Sequence, residues 1–183
     1  MNIINIREPV QTREGTLLSE LVAALDTELG TSLVADYPGA LNGLQFANDG
    51  QVHHVAVAVD ASRQSIAEAE SRGADLLVVH HGLFWSGVQP VSGIVYDKFR
   101  ALIRANIAVY SSHLPLDLHA TLGNNVRLAD ALGLRVTGGF ARYKTVEIGV
   151  QGEADESTST ILRRIENFSA QYGGTVRTSV PAA

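Results

Sequence analysis

The sequence has 183 residues, of which 45% are hydrophobic and 18% are charged. These proportions are typical of a globular domain with a real core and exclude a disordered chain. The net charge of −5 argues against nucleic acid as the main partner. Its apolar runs are too short to span a bilayer, and Met1–Val10 lacks the apolar stretch of a signal peptide. We therefore expect a cytoplasmic protein with no membrane partner.

The ten N-terminal residues are predicted to form a loose tail, after which Thr16 is expected to cap a helix that ends near Leu29. Strands and helices then alternate: Val55–Val59, Ser62–Arg72, Leu76–Val79, Tyr96–Ala105, Ile107–Ser111, and a helix from Asn124 or Asn125 to Leu132. The inward face of the helix Tyr96–Ala105 is expected to carry Tyr96, Phe99, Leu102 and Ile103. This alternation predicts an α/β fold with a mainly parallel or mixed sheet flanked by helices.

The pattern changes after Gly138-Gly139. The alternation of apolar residues predicts a half-buried strand at Val146–Val150, and helical spacing from Ile161 to Tyr172 is followed by a strand at Thr175–Val180. We therefore expect an α/β core over residues 1–137 and a small α+β segment over residues 138–183.

Histidines and one carboxylate follow two of the predicted strands. His80 and His81 come directly after Leu76–Val79, and His113 and Asp117 follow Ile107–Ser111. The carboxyl ends of parallel strands meet at one sheet edge, where ligands bind. Because the chain has no cysteine, a transition-metal site must use imidazole and carboxylate. Adjacent side chains of an extended chain diverge, so His80 and His81 suit two metals, which Asp117 could bridge.

The alternative is a structural loop in which these imidazoles bond to the backbone. Phe84 and Trp85 would then be packing residues or an apolar lid. Two other positions favour structural roles: the pair His53-His54 is expected at the surface or at a strand edge, and His119 is expected to be a loop residue. Arg163-Arg164 is interpreted as a solvated helix face, and Asn124 and Asn125 as helix caps.

Five segments form a recognisable series in chain order: Asn42–Gln45, Val57–Asp60, Asp75–Trp85, Ser112–Asp117 and Gly123–Asn125. Together they resemble the motifs of the NIF-three-like family, which is also catalogued as GTP cyclohydrolase 1 type 2. The resemblance implies an α/β fold, a centre of two divalent metal ions and a toroidal homohexamer. It places His80, His81 and Asp117 at ligand positions. It places His113 at or near the site, either as a ligand or as a residue that orients Asp117.

The match to the family pattern runs from about residue 16 to about residue 135, and the chain departs from that pattern near its C-terminus. Family members supply a further His and Glu near their C-terminus, whereas no His follows His119 here. Glu147, Glu153, Glu156 and Glu166 lie in a different sequence context. We therefore expect the C-terminal segment of the family to be missing and the metal centre to be incomplete.

Two functions are consistent with these residues. The first is metal-dependent hydrolysis of a small molecule, with a nucleotide as one candidate, using divalent Zn, Fe, Mn or Ni. The second is a metal-binding scaffold or regulatory oligomer without turnover. Metal-dependent turnover that disappears in His81→Ala would distinguish the first from the second.

Overall fold

The structure is a computed structural model that describes residues 15–179. The predicted N-terminal tail and Val180, the last residue of the predicted final strand, lie outside the described residues. The chain divides into two compact units, with the boundary between Leu116 and Asp117. This boundary lies earlier than the change of sequence pattern at residues 137 and 138.

The first unit contains a four-stranded mixed sheet with the order β2-β6-β5-β4. The elements are, in chain order, β1 (Thr16–Leu17), α1 (Leu18–Leu29), β2 (Gly43–Phe46), β3 (Gln51–Val52), β4 (Val55–Asp60), α2 (Arg63–Ser71), β5 (Leu76–His81), α3 (Gly93–Ala105), β6 (Ala108–Ser111) and α4 (Leu114–Asp117), whose last residue begins the second unit. Strands β4, β5 and β6 are parallel, and β2 runs antiparallel to β6. The predicted α/β class with a mixed sheet is confirmed.

Strand β5 is buried on both faces, as its continuous apolar run indicates. Leu77 and Val79 pack in one core cluster with Ile66 of α2 and Leu102 of α3. Since successive side chains of a strand point to opposite faces, Leu76 packs in the other cluster. The sheet therefore lies between α2 and α3 on one side and α1 on the other.

The second core cluster joins α1 to the sheet through Tyr110 of β6, whose side chain is fully buried. Its hydroxyl donates to Asp26 Oδ1 at 2.8 Å and lies 2.9 Å from the Thr31 hydroxyl. Burial raises the pKa of Tyr110 far above its ordinary value, and Asp26 raises it further, while the Thr31 hydrogen bond acts in the opposite direction. Tyr110 is therefore a neutral donor that fixes α1 on the sheet.

Helix boundaries differ from the predictions in two places. Thr16 lies in β1, and the residue before α1 is Leu17, which makes no side-chain cap. Helix α3 begins at Gly93, three residues before the predicted start. Tyr96 and Ile103, expected on its inward face, are 49% and 69% exposed.

The second unit is built on an antiparallel hairpin. Its elements are α5 (Asn124–Ala131), β7 (Arg135–Tyr143), β8 (Val146–Glu153) and α6 (Thr158–Gln171). The sequence did not predict β7, because Gly138 and Gly139 interrupt it, and glycine is disfavoured in strands. In the hairpin Gly149 pairs with Phe140, and a Cβ atom on Gly149 would overlap the Phe140 ring.

Two further expectations for the second unit differ from the structure. Residues 174–179 form no strand. Arg164 is half-buried rather than solvated, because it donates to the Leu132 carbonyl at 3.1 Å and pairs with Glu156. No helix within residues 15–179 has both the length and the apolar content needed to cross a membrane.

We predict that Tyr110→Phe lowers the free energy of unfolding by about 1–2 kcal/mol, because Asp26 loses a hydrogen bond in a buried setting. Chemical denaturation would measure the change. Tyr96→Phe is the matched control, since Tyr96 is exposed, and it should change stability by less than about 0.5 kcal/mol. Equal effects of the two changes would contradict the role given to Tyr110.

Candidate metal centre

Three histidines converge at the carboxyl edge of the sheet in the first unit. His80 and His81 are the last residues of β5, and His113 follows β6 by two residues. One ring nitrogen from each lies within 4.8 Å of those of the other two. The ring centroid of His80 lies 4.6 Å from that of His81 and 4.8 Å from that of His113. The edge predicted from the parallel strands therefore carries a cluster of imidazoles.

Each imidazole is fixed through its Nδ1 atom. His80 Nδ1 lies 3.0 Å from the Ser112 carbonyl, His81 Nδ1 lies 2.7 Å from Asp60 Oδ1, and His113 Nδ1 lies 2.9 Å from Asp36 Oδ1. A carbonyl or a carboxylate can only accept a hydrogen bond, so Nδ1 carries the proton in all three rings. This tautomer leaves the lone pair on Nε2, which is the state in which imidazole binds a metal.

The position of Asp60 follows from the strand register. Asp60 ends β4 and pairs with His81 across the parallel strands. The side chain of Asp60 is 40% exposed and that of His81 is 42% exposed. The carboxylate therefore orients His81 at the sheet edge from the neighbouring strand.

Asp36 orients His113 from the loop that precedes β2. Its side chain is 6% exposed, and its oxygens accept hydrogen bonds from the Asn42 amide at 2.8 Å and from the backbone N–H groups of Leu114 and Tyr37 at 2.8 and 2.6 Å. Burial acts to raise the pKa of Asp36, but these bonds and the one from His113 outweigh it and lower the pKa. Asp36 is therefore a buried anion held by several donors.

Aromatic side chains stand beside the cluster and line a cavity of about 550 Å³. The Trp85 ring meets the His113 ring edge to face, with centroids 4.7 Å apart, and meets the His81 ring at 5.6 Å. Tyr37 lies 6.4 Å from Trp85 and 6.0 Å from His113. With Asp60, these residues line the cavity, which opens beside the imidazoles.

The loop that carries Trp85 is held by contacts with the segment around β2. Gln45 Oε1 accepts from the Leu83 N–H at 2.6 Å, while its amide donates to the Ala40 carbonyl at 2.9 Å. A Cβ atom on Gly82 would overlap the Gln45 side chain, and one on Gly39 would lie 2.8 Å from the Trp85 carbonyl. Both glycines therefore permit the close approach that sets the position of Trp85.

Of the four residues that the sequence predicted as metal ligands, His80, His81 and His113 lie together in the first unit. Asp117 is the first residue of the second unit, where its Oδ1 accepts a hydrogen bond from the Asn124 side chain at 2.9 Å. Asn124 is thus a partner of Asp117, and Gly123 rather than an asparagine precedes α5.

The other histidines make local structural contacts. The exposed pair His53-His54 donates its backbone N–H groups to Asp75 Oδ2, at 2.7 and 2.9 Å. His119 Nδ1 accepts from the backbone N–H of Leu122 at 3.1 Å. These contacts fit the surface and loop roles expected from the sequence.

The side chains of His80 and His81 do not diverge as the extended-chain rule predicts: their ring centroids lie 4.6 Å apart at the end of β5. The sequence analysis also did not predict that the carboxylates of Asp60 and Asp36 orient the imidazoles. Asp60 could have been found by applying the same sheet-edge rule to Val55–Val59, the strand that it follows. Asp36 has no comparable signal, because it reaches His113 across 77 positions of sequence from an irregular loop.

Comparisons with known proteins identify the family of this chain. The family model described as "Duf34/NIF3 (NGG1p interacting factor 3)" matches residues 16–180. A "GTP cyclohydrolase 1 type 2 homolog" of Treponema pallidum (strain Nichols) is 46% identical over 132 residues, which are 72% of this chain and 46% of that protein. A protein of the same name from Halobacterium salinarum is 45% identical over 128 residues, covering 69% of this chain and 51% of that protein.

A solved structure shows the same fold. The crystal structure of TTHA1606 from Thermus thermophilus matches with a TM-score of 0.74 and 31% identity, over 85% of this chain and 62% of that one. The chain spans about half the length of the two relatives compared above. The family match extends through the sheet, the histidine cluster and the second unit, and the chain therefore belongs to the Duf34/NIF3 family.

Proposed function

We propose that this chain forms a divalent-metal centre and acts as a metal-dependent hydrolase of the kind that its relatives' name indicates. The observation that carries the proposal is the set of three imidazoles whose Nδ1 atoms are all hydrogen-bonded to acceptors. In each of these rings the lone pair that could bind a metal is then on Nε2. Neutral imidazoles with carboxylate ligands suit divalent Zn, Fe, Mn or Ni.

The spacing of the ring nitrogens is compatible with one ion or with two. Three ligands of one tetrahedral ion, each about 2.1 Å from it, would lie about 3.4 Å from one another. The nitrogens here all lie within 4.8 Å of one another. Ions in binuclear sites lie about 3.5–4 Å apart. The proposal of two ions therefore rests on the family resemblance, and Asp117 would supply a further carboxylate ligand.

Two divalent ions, when bound, supply an activated water and stabilise negative charge on the attacked group. The residues of this chain contribute the orientation of the ligands. Asp60 holds His81, Asp36 holds His113, and the Ser112 carbonyl holds His80. Such partners of metal-binding histidines typically contribute about 10–100-fold in metal affinity or activity.

The remaining parts of the proposal rest on the family membership. They are a small-molecule substrate, with a nucleotide as one candidate, a homohexamer and a cytoplasmic location. The relatives are named homologues of GTP cyclohydrolase 1 type 2, and this chain covers about half of their length. Turnover of a panel of nucleotides and phosphodiesters by the metal-loaded protein tests the activity. Full metal loading without turnover would favour a scaffold role.

We predict that the double variant His80→Ala, His81→Ala loses bound divalent metal, because it removes two of the three clustered imidazoles. Metal analysis of the purified protein, together with Co²⁺ quenching of Trp85 fluorescence, would measure the loss; Trp85 is the one tryptophan in the sequence.

The matched control is the double variant His53→Ala, His54→Ala, which alters the other adjacent pair. That pair is exposed, and its backbone N–H groups bond to Asp75 regardless of side chain. Metal content should stay at the wild-type level in the control. Equal metal content in all three proteins would contradict the assignment.

Asp36→Asn should weaken metal binding about 10–100-fold, because the amide no longer fixes the His113 tautomer as a carboxylate does. It should also lower the free energy of unfolding by about 2–4 kcal/mol, since buried N–H donors lose an anionic acceptor.

A carboxyl whose pKa is lowered by folding stabilises the fold above its ordinary pKa of 3.8, and this contribution is lost as pH falls through its lowered value.

The stability difference between wild type and Asp36→Asn should therefore shrink in acid, which urea unfolding at pH 7 and pH 3 would show. Asp97→Asn is the control, because Asp97 forms an exposed ion pair with Arg63. The prediction is wrong if the two variants behave alike.

Asp117→Asn should weaken metal binding more than His119→Ala does. A carboxylate offers two anionic oxygens, whereas an amide offers one neutral acceptor, and His119 Nδ1 already accepts backbone hydrogen bonds. Isothermal titration with Zn²⁺ would rank the two. The opposite ranking would contradict the role of Asp117 as a metal ligand.

A further inference from the structure

The cavity beside the histidines has an aromatic wall that the metal centre itself does not require. Tyr37 and Trp85 line it together with His81 and His113. The Tyr37 and Trp85 rings are tilted by 51° with centroids 6.4 Å apart, and Tyr37 is 42% exposed at the surface. The volume of about 550 Å³ is in the range of pockets that hold small organic molecules.

The chemistry of this wall favours a flat ring over a flexible or spherical group. Aromatic faces bind other π-systems in stacked or edge-to-face arrangements, and they do so irrespective of the ring's exact identity. The charged side chain in the lining is the carboxylate of Asp60. Asp60 itself therefore repels a ring without negative charge less than it repels an anionic group.

Trp85 adds a polar requirement. Its indole Nε1 is buried and has no hydrogen-bond partner among the described residues. A buried donor without an acceptor costs about 1–3 kcal/mol, and such a group in a native protein needs an explanation. A carbonyl or ring nitrogen at the edge of a bound molecule would supply the acceptor once binding uncovers Nε1.

The contacts that hold Trp85 support a role beyond packing. Gln45 fixes its loop through the Leu83 N–H, and Gly39 allows the Trp85 backbone to approach. Trp85 also contacts the metal-ligand candidate His113 edge to face at 4.7 Å. The loop therefore presents the indole next to the three imidazoles rather than elsewhere on the surface.

We propose that Tyr37 and Trp85 form an aromatic subsite that binds a flat, uncharged ring with an acceptor at its edge, next to the metal centre. The inference rests on the proposed metal-dependent function and names the substrate class for that site. The ring would lie in the cavity against the two aromatic side chains. The bond to be hydrolysed would then be next to the histidine cluster.

Binding of two probes to the Zn²⁺-loaded protein tests this proposal. The probes are 4-quinazolinone, which is flat and neutral and bears a carbonyl, and a saturated bicyclic lactam of the same size. Calorimetry measures the affinities, and Trp85 fluorescence reports binding in the wild type because the sequence has a single tryptophan. We expect 4-quinazolinone to bind at least about 10-fold more tightly than the saturated lactam.

Two variants and one control test whether 4-quinazolinone binds at Tyr37 and Trp85. Tyr37→Leu should weaken 4-quinazolinone binding about 5–100-fold through lost stacking, and Trp85→Phe should weaken it about 3–10-fold through the lost N–H. Tyr96→Leu is the control, because Tyr96 is a similarly exposed aromatic residue on α3, and it should leave binding unchanged. The Zn²⁺ content of all variants should match that of the wild type.

Three results would overturn the subsite: equal binding of the flat and saturated probes, loss of Zn²⁺ together with ring binding in Tyr37→Leu, and an equal effect of Tyr96→Leu. Ring binding by a protein that takes up no Zn²⁺ would refute the metal centre while the subsite stands. Zn²⁺ uptake without ring binding would refute the subsite alone.

Discussion

Hydrogen bonds to the Nδ1 atoms of three histidines are the constraint on which the site depends. The acceptors come from separate parts of the first unit: Asp36 from the loop before β2, Asp60 from the end of β4, and the Ser112 carbonyl from the segment after β6. Each acceptor fixes one tautomer and one ring orientation. The cluster therefore exists only when the sheet and its loops are assembled, because the unfolded chain holds these groups far apart in sequence.

The fold supplies this constraint through the parallel strands. Because β4, β5 and β6 run in the same direction, their carboxyl ends meet at one edge, and the register pairs Asp60 with His81. The apolar core on both faces of β5 keeps the strand in place. Tyr110 fixes α1 against the same sheet through Asp26. The stability of the core and the geometry of the imidazoles are thus properties of the same strands.

The sequence predicted the α/β class and the convergence of His80, His81 and His113, because alternating patterns and the sheet-edge rule are local signals. It did not predict β7, because Gly138 and Gly139 lie within this strand and glycine is disfavoured in strands. Asp36 was missed for a different reason: its hydrogen bonds link loops that are distant in sequence. Long-range contacts of this kind have no signature in a single sequence.

A crystal structure of the protein grown with Zn²⁺ would test the central claim, using anomalous scattering recorded at the zinc edge. The account predicts anomalous density bound by the Nε2 atoms of His80, His81 and His113, with their Nδ1 atoms still bonded to Ser112, Asp60 and Asp36. Zn–N distances should be about 2.0–2.1 Å. Density bound through Nδ1, or zinc found only away from these three residues, would contradict it.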